Sequence, residues 1–363
     1  MKILALGGDG IGPEVVGAGL DVLACVADIE NLDVDVEEDV LHGAAYDQYG
    51  TFCRDETVAA AKAADAVLVG SVGGPKWDNL DVGDSPADKD GLIRLRQELD
   101  VYSGLRPARA YAPLLSRTPF REEVVAGVDI MVLRELCGGI YFGEPRGIDE
   151  LADGTFKAYD SNLYSSVEIE RILRDGFELA RRRRGDLVST DKANVMESGV
   201  LWRRIADELA PLYPDVTLRH MYADNLLYQL VRAPSEFDVI VSDNLFGDLI
   251  SDLAAAFSGS LGMLPSASLA RLAPVGETSS PGIYEAVHGT APDIAGLGIA
   301  NPIGTILSIA MMLDYGFARR DLAKKIELAV ERTLVAGVLT PDIGGQAKTA
   351  DITNSVIAHY RAQ

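Results

Sequence analysis

Two aspartates one helical turn apart, Asp248 and Asp252, have the spacing that points most directly to chemistry. They lie in the segment NLFGDLISDLAAAF, whose expected apolar stripe is Leu245, Leu249, Ile250 and Leu253. Side chains at positions i and i+4 are neighbours on a helix, so two carboxylates there repel each other unless a cation lies between them. No Arg or Lys occurs from Pro234 to Leu269, so the pattern predicts a divalent cation with oxygen ligands. A solvated acidic pair is the alternative.

Three arginines, Arg96, Arg106 and Arg134, stand close to predicted strand ends. A guanidinium group binds a carboxylate through two parallel hydrogen bonds, which a lysine cannot reproduce. The three together predict a substrate with more than one carboxylate. Ordinary surface ion pairs are the alternative, because the chain contains 55 Asp and Glu residues.

Tyr141 and Lys192 are the candidate acid and base. Tyr141 follows Arg134 along the chain, and Lys192 ends a predicted strand in STDKANV. Cations beside a lysine favour its neutral form, so a metal ion and arginines nearby would make Lys192 a usable base.

The segment GGDGIGPE (residues 7–14) follows a strand and opens a helix, which suggests a dinucleotide-binding motif. Its register is wrong, because the third glycine of that motif falls on Pro13. We therefore expect no ordinary Rossmann fold. The segment EAVHGTAPDIAGLGIANP (285–302) is a better nucleotide loop, since its small residues let the backbone approach a ligand. His288 could stack on adenine, and Asp293 could accept from ribose hydroxyls and repel a 2′-phosphate, which favours NAD over NADP. An ordinary surface loop is the alternative.

Composition excludes several classes of protein. The 363 residues, 48% of them hydrophobic, suffice for two domains. The net charge of −22 argues against nucleic acid or an anionic membrane as a partner. We find neither a signal peptide nor an apolar run of about 18 residues, the length that spans a bilayer. Cys25, Cys53 and Cys137 are scattered, which predicts reduced thiols in the cytoplasm. The basic run 181–184 is expected to be a solvated helix end.

Short apolar runs alternate with helical patterns along the chain, which predicts α/β layers with a largely parallel sheet. The runs are KILALG, AVLVGS, VDIMVLREL, LVSTDK and FDVIVSD. Residues 136–165 differ, because glycines and aromatic residues alternate with polar positions. This stretch predicts an antiparallel ribbon that could serve as an oligomerisation arm.

Taken together, these stretches resemble the isocitrate/isopropylmalate family of β-decarboxylating dehydrogenases, and most closely its isopropylmalate-type members. The similarity covers nearly the whole chain and includes GDGIGPE, GGPKWD, LRQELDVYSGLRP, RELCGGIYFGEPRG, STDKANV, NLFGDLISDLA, GSLGMLPSASL, HGTAPDIAG and TPDIGGQAKT. Several such motifs in one order are more specific than any of them alone.

The resemblance implies the family's two-domain α/β fold with an antiparallel dimerisation arm. Residues 1–101 with 259–363 would form the first domain, which holds both chain ends and the nucleotide loop. Residues 102–258 would form the second domain, which holds the dimer interface, the metal aspartates and the arm at about 136–165. The protein would be a homodimer with shared active sites.

The resemblance also assigns roles. Arg96, Arg106 and Arg134 would bind the substrate carboxylates. Asp248 and Asp252 would bind Mg²⁺ or Mn²⁺ together with Asp224, which the other subunit supplies next to the substrate. Lys192, also crossing the dimer interface, would take the hydroxyl proton, and Tyr141 would protonate C3. The cofactor NAD would be bound by Gly74, Asn194, Glu285, His288, Gly289, Thr290, Ala291, Pro292, Asp293, Ile294 and Asn301.

Substrate choice within the family depends on residues near Arg96. Isocitrate-specific members resemble a pattern with Ser and Asn six and four positions before this arginine, where this chain has Asp90 and Leu92. Leu92 and Ile93, with Val195, would form an apolar pocket for an isopropyl group. The resemblance therefore implies NAD-dependent oxidative decarboxylation of isopropylmalate in leucine biosynthesis.

Three alternatives remain. They are a related enzyme acting on D-malate, tartrate, isocitrate or homoisocitrate, a non-catalytic regulatory subunit, and a metal-binding protein without redox activity. The chain departs from the family pattern at Cys137, Ala286 and Lys89, and it has a slightly lengthened loop in GETSSPGIYE.

Overall fold

The structure is a computed structural model that describes residues 1–80, 82–83 and 85–363. The strands are β1 (Lys2–Leu6), β2 (Asp35–Asp39), β3 (Ala66–Val69), β4 (Ser103–Arg109), β5 (Asp129–Glu135), β6 (Gly147–Glu150), β7 (Phe156–Tyr159), β8 (Asp186–Asp191), β9 (Thr217–Tyr222), β10 (Val239–Ser242), β11 (Pro265–Leu269) and β12 (Gly282–Ala286).

The α-helices in the same residues are α1 (Gly12–Glu30), α2 (Gly43–Tyr49), α3 (Asp55–Ala63), α4 (Pro86–Lys89), α5 (Gly91–Glu98), α6 (Glu122–Val125), α7 (Ser166–Arg181), α8 (Glu197–Leu209), α9 (Ala223–Arg232), α10 (Asn244–Ala255), α11 (Ile303–Met311), α12 (Arg320–Val335) and α13 (Thr349–Arg361). Within the described ranges, no helix has both the length and the apolar character needed to cross a membrane.

The main sheet has the strand order β2-β1-β3-β12-β11-β4-β5-β10-β8-β9. Its outer pairs are parallel, whereas the pairs β12–β11, β11–β4 and β4–β5 at its centre are antiparallel. The expected α/β architecture with a largely parallel sheet is therefore confirmed. The antiparallel centre also excludes the all-parallel order of an ordinary Rossmann fold.

The strand order separates two parts of the chain. β1, β2, β3, β11 and β12 come from residues 1–101 and 259–363 and lie on one side of the sheet, and β4, β5, β8, β9 and β10 lie on the other. This arrangement matches the division expected from the resemblance. Whether the two parts behave as separate domains stays a prediction.

The glycines of the GGDG segment serve loop packing. Gly8 and Gly10 have left-handed φ values of 72° and 59°. A Cβ atom would lie 2.2 Å from the Ser71 carbonyl oxygen at Gly8 and 2.1 Å from the Thr290 carbonyl oxygen at Gly10. The segment therefore docks against the predicted nucleotide loop.

Helix α10 begins after Asp243, whose side chain accepts from the amide of Phe246 and caps the helix. Small residues dominate its buried face, which consists of Asn244, Gly247, Ile250, Ser251, Ala254 and Ala255. The expected apolar stripe is wrong at Leu249, which is 50% exposed. The helix instead faces β5 with Gly247, where a Cβ atom would lie 2.8 Å from Cγ of Arg134.

The expected antiparallel ribbon is present. β6 and β7 pair as a two-stranded sheet separate from the main one. Its apolar side chains Ile148 and Phe156 are strongly exposed.

The basic run is not a solvated helix end at every position. Nε of Arg183 donates to the buried carboxylate of Asp238 at 2.7 Å, and its Nη2 donates to Asp129 at 2.9 Å. A buried carboxylate requires a cationic or hydrogen-bonding partner, and that requirement draws Arg183 inward.

Candidate active site

Three chain segments converge on the carboxylate of Asp248. Nη1 of Arg106, from β4, lies 3.3 Å from Oδ1 of Asp248, and Nη1 of Arg134, from β5, donates to the same oxygen. The hydroxyl of Tyr141 donates to Oδ2 at 3.0 Å. The expectation that no arginine neutralises the aspartate pair is therefore wrong for Asp248. Both arginines come from distant strands, so a search within α10 could not find them.

Other polar groups fix the orientation of these arginines. Nε and Nη2 of Arg134 donate to Oδ1 of Asn244 at 3.0 and 2.8 Å. Nη1 of Arg106 donates to Oγ of Ser251 at 2.8 Å. Burial and the neighbouring Arg106 lower the pKa of Arg134 to about 10, and burial and Arg96 lower the pKa of Arg106. Buried like charges that depress each other's pKa are stabilised when an anion binds between them.

Arg96 joins this group from α5. Its Nη2 donates at 2.5 Å to Oε1 of Glu285 at the end of β12. Burial alone would lower the pKa of Arg96, but the Glu285 carboxylate outweighs burial and raises it. Nε of Arg96 is buried and has no hydrogen-bond partner among the described residues, which leaves a donor for a ligand carboxylate. Glu285 was predicted to contact the cofactor, but here it contacts a predicted substrate arginine.

Asp252 lies one turn after Asp248 and makes no ion pair in the described part of the chain. Burial and the charge of Asp248 raise its pKa. The two carboxylates could supply part of the ligand set of Mg²⁺ or Mn²⁺, because both groups offer hard oxygen atoms on one helix face. No group of three Asp, Glu, His or Cys residues able to hold a metal occurs within 1–80, 82–83 and 85–363. The two carboxylates therefore fit a metal only if a further ligand comes from outside this chain.

The predicted base lies apart from this cluster. Nζ of Lys192, at the end of β8, lies 2.8 Å from Oδ1 of Asp224 at the start of α9. The hydrogen bond and charge of Lys192 lower the pKa of Asp224. Among the described contacts, neither residue pairs with Arg134, Tyr141 or Asp248. The described contacts of one chain therefore form two groups, here called the Lys192 half-site and the arginine half-site.

The residues of the expected isopropyl pocket are also divided. Asp90 caps α5 by accepting from the amides of Leu92 and Ile93 at 2.7 and 3.1 Å. Leu92 is 6% exposed within an apolar cluster, and Ile93 is half-buried. Val195 lies on the turn after Lys192 and is 71% exposed. Within a single chain, Val195 belongs to the Lys192 half-site, whereas Leu92 and Ile93 belong to the helix of Arg96.

The predicted nucleotide loop follows β12 and docks on the GGDG segment. The Thr290 carbonyl accepts from the amide of Ile11 at 2.9 Å, and Ala291 and Ile294 pack against Ile11 and Val15. Asn301 is buried, and its amide donates to Asp342 at 3.0 Å. Gly289, Pro292 and Asp293 are exposed at the surface of the loop.

His288 supports a ligand role for this loop. Its Nδ1 lies 2.9 Å from the carbonyl oxygen of Gly289, and its buried Nε2 has no partner in the described residues. Burial lowers its pKa, so the ring is neutral at physiological pH. A buried ring nitrogen without a partner fits a polar group of a bound nucleotide.

The two remaining predicted cofactor residues lie elsewhere. Gly74 has a φ of 151° and lies against the ring of Trp77. Asn194 is exposed on the turn after Lys192. Gly74 therefore belongs to the part of the chain that carries the nucleotide loop, and Asn194 belongs to the Lys192 half-site.

Sequence reasoning missed Asn244 and Ser251, which hold the arginines, and Tyr164, whose hydroxyl accepts from the amide of Asn244 at 2.9 Å. Asn244 and Ser251 lie in the same segment as the aspartate pair. Their polarity on the buried face of α10 was the available signal.

The fold and the cluster define a class of protein: an α/β protein with a group of buried arginines at the antiparallel centre of its sheet. A family model described as isocitrate/isopropylmalate dehydrogenase matches residues 2–356. The chain therefore belongs to the isocitrate/isopropylmalate dehydrogenase family.

Curated relatives are similar over nearly their whole length. The chain is 51% identical over 348 residues to a 3-isopropylmalate dehydrogenase of Xanthomonas euvesicatoria pv. vesicatoria, covering 96% of this chain and 95% of the relative. It is 50% identical over 366 residues to the protein of the same name from Chromohalobacter salexigens, covering 100% and 99%.

Solved structures have the same fold at lower identity. An isocitrate dehydrogenase from Methylococcus capsulatus superposes with a TM-score of 0.85 at 30% identity, covering 99% of each chain. A β-decarboxylating dehydrogenase from Thermococcus kodakarensis gives a TM-score of 0.79 at 34% identity, covering 99% of this chain and 96% of the other.

Proposed function

We propose that this protein catalyses the NAD-dependent oxidative decarboxylation of (2R,3S)-3-isopropylmalate to 4-methyl-2-oxopentanoate and CO₂, a cytoplasmic step of leucine biosynthesis. The main support for this proposal is the group of buried guanidiniums, two of them bonded to Asp248 and one to Glu285, because such a group suits an acid with two carboxylates. The names of relatives about half identical in sequence support the choice of substrate.

The chain's own residues would bind and orient the acid. Arg96, Arg106 and Arg134 offer guanidinium donors to its carboxylates. Burial, followed by the charge of Asp248, raises the pKa of Tyr141, which keeps its hydroxyl protonated and able to deliver a proton to C3. Lys192 would accept the proton of the substrate hydroxyl.

The cofactors are also proposed. Mg²⁺ or Mn²⁺ would be held by Asp248, Asp252 and Asp224 of the partner subunit, and it would polarise the hydroxyl and carboxylate oxygens of the substrate. NAD would occupy the loop from Glu285 to Asn301 and would accept the hydride. The buried Nε2 of His288, which has no partner among the described residues, supports the nucleotide site. The carboxylate of Asp252, which makes no ion pair with those residues, supports the metal site.

A homodimer would join the two half-sites. No described contact within one chain joins Lys192 or Asp224 to the Arg134 cluster, so a second copy would supply them. The exposed apolar side chains support such an interface: Ile148 and Phe156 on the ribbon, Tyr228 and Val231 on α9, and Leu249 on α10. Contiguous exposed apolar surface commonly marks a protein–protein interface.

A substrate panel tests the proposal. With NAD⁺ and Mg²⁺, we expect NADH to appear with isopropylmalate and much more slowly with D-malate, tartrate, isocitrate or homoisocitrate. Exhaustive chelation should abolish turnover, and added Mg²⁺ or Mn²⁺ should restore it. Undiminished turnover after chelation, or preference for another acid, would refute the proposed metal or the proposed substrate.

A further inference from the structure

A cavity of about 190 Å³ brings together two sequence features that the proposed reaction does not use. One is the basic run after α7, which contributes Arg182 and Arg183. The other is the connection between β11 and β12, which includes the start of the lengthened loop GETSSPGIYE and contributes residues 273–277 and Ser279. Arg320, at the start of α12, completes the basic lining.

This cavity is distinct from the candidate active site. A second cavity of about 250 Å³ shares Arg183 and Arg320 with it and is also lined by Pro107, Arg109 and Met131. Successive side chains of a strand point to opposite faces of a sheet. Arg106 and Arg134 alternate with these strand residues along β4 and β5, so the cavities lie on the face opposite the Asp248 cluster.

The three arginines of the lining differ in how far their donors are already used. Arg182 uses Nη2 to hold the Ala273 carbonyl at 2.6 Å, and Arg183 uses Nε and Nη2 for Asp238 and Asp129. Arg320 makes no ion pair with the described residues. The carboxylates of Glu277 and Asp314 also line the cavity, and Arg183 is already paired with two carboxylates. Arg182 and Arg320 are therefore the guanidiniums of the lining without an ion-pair partner in the described part of the chain.

The backbone beside the cavity is irregular. Residues Met312–Gly316 form a π-helical turn, which places Asp314 and Tyr315 in the lining. Ala318, also in the lining, has a left-handed φ of 55°. Such turns and strained non-glycine residues occur frequently at functional sites.

We propose that this cavity binds a small oxyanion, with Arg182, Arg183 and Arg320 as its donors. The ligand group would be a phosphate or a carboxylate, because both match the guanidinium fork. Its volume of about 190 Å³ has room for several water molecules, and therefore for inorganic phosphate or malonate. The site is independent of the proposed dehydrogenase reaction.

Isothermal titration of the full chain with inorganic phosphate, and separately with malonate, tests the proposal. The variants are made in an Arg106→Gln background, which weakens competing binding at the candidate active site. Arg320→Gln should weaken anion binding about tenfold or more, because it removes a charged donor. Arg332→Gln is the matched control: it makes the same change on α12, in the last turn of the helix, and should leave binding unchanged.

A variant that should bind the anion more tightly is a second test, because misfolding cannot explain a gain of binding. Glu277 is exposed on the loop, and Glu277→Gln removes a repelling carboxylate, so anion binding should become tighter. Binding of only one of the two anions would identify the ligand class. The proposal is overturned if neither anion binds in the Arg106→Gln background, or if Arg320→Gln and Arg332→Gln bind equally.

Discussion

Asp248 accepts from two guanidiniums and one phenol, and the three donors come from separate stretches of the chain. Residue type and resemblance predicted each of these side chains as part of the site. Their mutual contacts could not be predicted, because Arg106 and Arg134 reach Asp248 only through the pairing of β4 with β5. The inference of an un-neutralised aspartate pair was wrong at Asp248 for this reason. Asp252 has no cationic partner within ion-pair distance among the residues that the structure describes.

The proposed acid and base can be separated by substitution. Lys192→Met removes the proton acceptor, so we expect oxidation to be abolished. Tyr141→Phe removes the proton donor for C3, so we expect it mainly to slow the step after oxidation. Formation of NADH and release of CO₂, followed separately, distinguish the two defects. Turnover equal to that of the parent in either variant would remove that residue's assigned role.

Arg134→Lys tests the geometry of the guanidinium. A lysine keeps the charge but lacks the planar fork through which Arg134 donates from Nε and Nη2 to Asn244 and from Nη1 to Asp248. We expect kcat/KM for isopropylmalate to fall about tenfold or more, which corresponds to about 1.4 kcal/mol. Arg204→Lys on the exposed surface of α8 is the control and should have no effect. A normal kcat/KM in Arg134→Lys would show that charge alone suffices.

Among the secondary-structure elements, the five predicted strands were all found, as β1, β3, β5, β8 and β10, whereas β2, β4, β9, β11 and β12 were not predicted. The sequence of β11, PSASL, has the composition of a loop. Its serines are buried because their hydroxyl groups find partners: Oγ of Ser266 donates to the Glu285 carbonyl at 2.9 Å. Strand pairing and a covering helix supply those partners, and neither is visible in a local window.

The turn after β5 makes a pH-dependent contribution to stability. Burial raises the pKa of Glu135 from 4.5 to about 7, although the amides of Cys137 and Gly138 donate to it. The folded chain then holds a proton that the unfolded chain releases. This stabilising contribution is therefore complete below pH 4.5 and is lost as the pH rises through about 7.

Glu135→Gln removes the ionisation. We expect the variant to gain about 3 kcal/mol in free energy of unfolding relative to the parent between pH 4.5 and about pH 8. Urea unfolding at several pH values measures this change. Glu150→Gln on the exposed ribbon is the control. Parallel pH profiles for the parent and Glu135→Gln would contradict the prediction.

At the scale of the whole molecule, local patterns do not indicate that both chain ends lie on one side of the sheet, since that depends on pairs such as β3 with β12. The division into two domains and the sharing of active sites in a dimer, which the resemblance implies, stay predictions.

Mixing two inactive variants tests shared active sites. Lys192→Met leaves the arginine half-site intact, and Asp252→Asn leaves the lysine half-site intact. In a mixed dimer, one of the two sites would then combine both intact halves. Random reassortment should restore about a quarter of the parent's active sites. If activity in the refolded mixture does not exceed the sum of the two variants, each site is contained in one chain.

The pairing of β3 with β12 also governs the order of events during synthesis. Val67 pairs with Ile283, which is translated much later, whereas β4, β5, β8, β9 and β10 all lie between residues 103 and 242. On the ribosome, we expect the central stretch to form its strand pairs while the N-terminal stretch, already translated, still lacks its neighbour. We therefore expect the unpaired edge of β3 to stay exposed until β12 has been translated. An exposed strand edge is prone to aggregation, so we expect chaperones to act mainly on the first hundred residues.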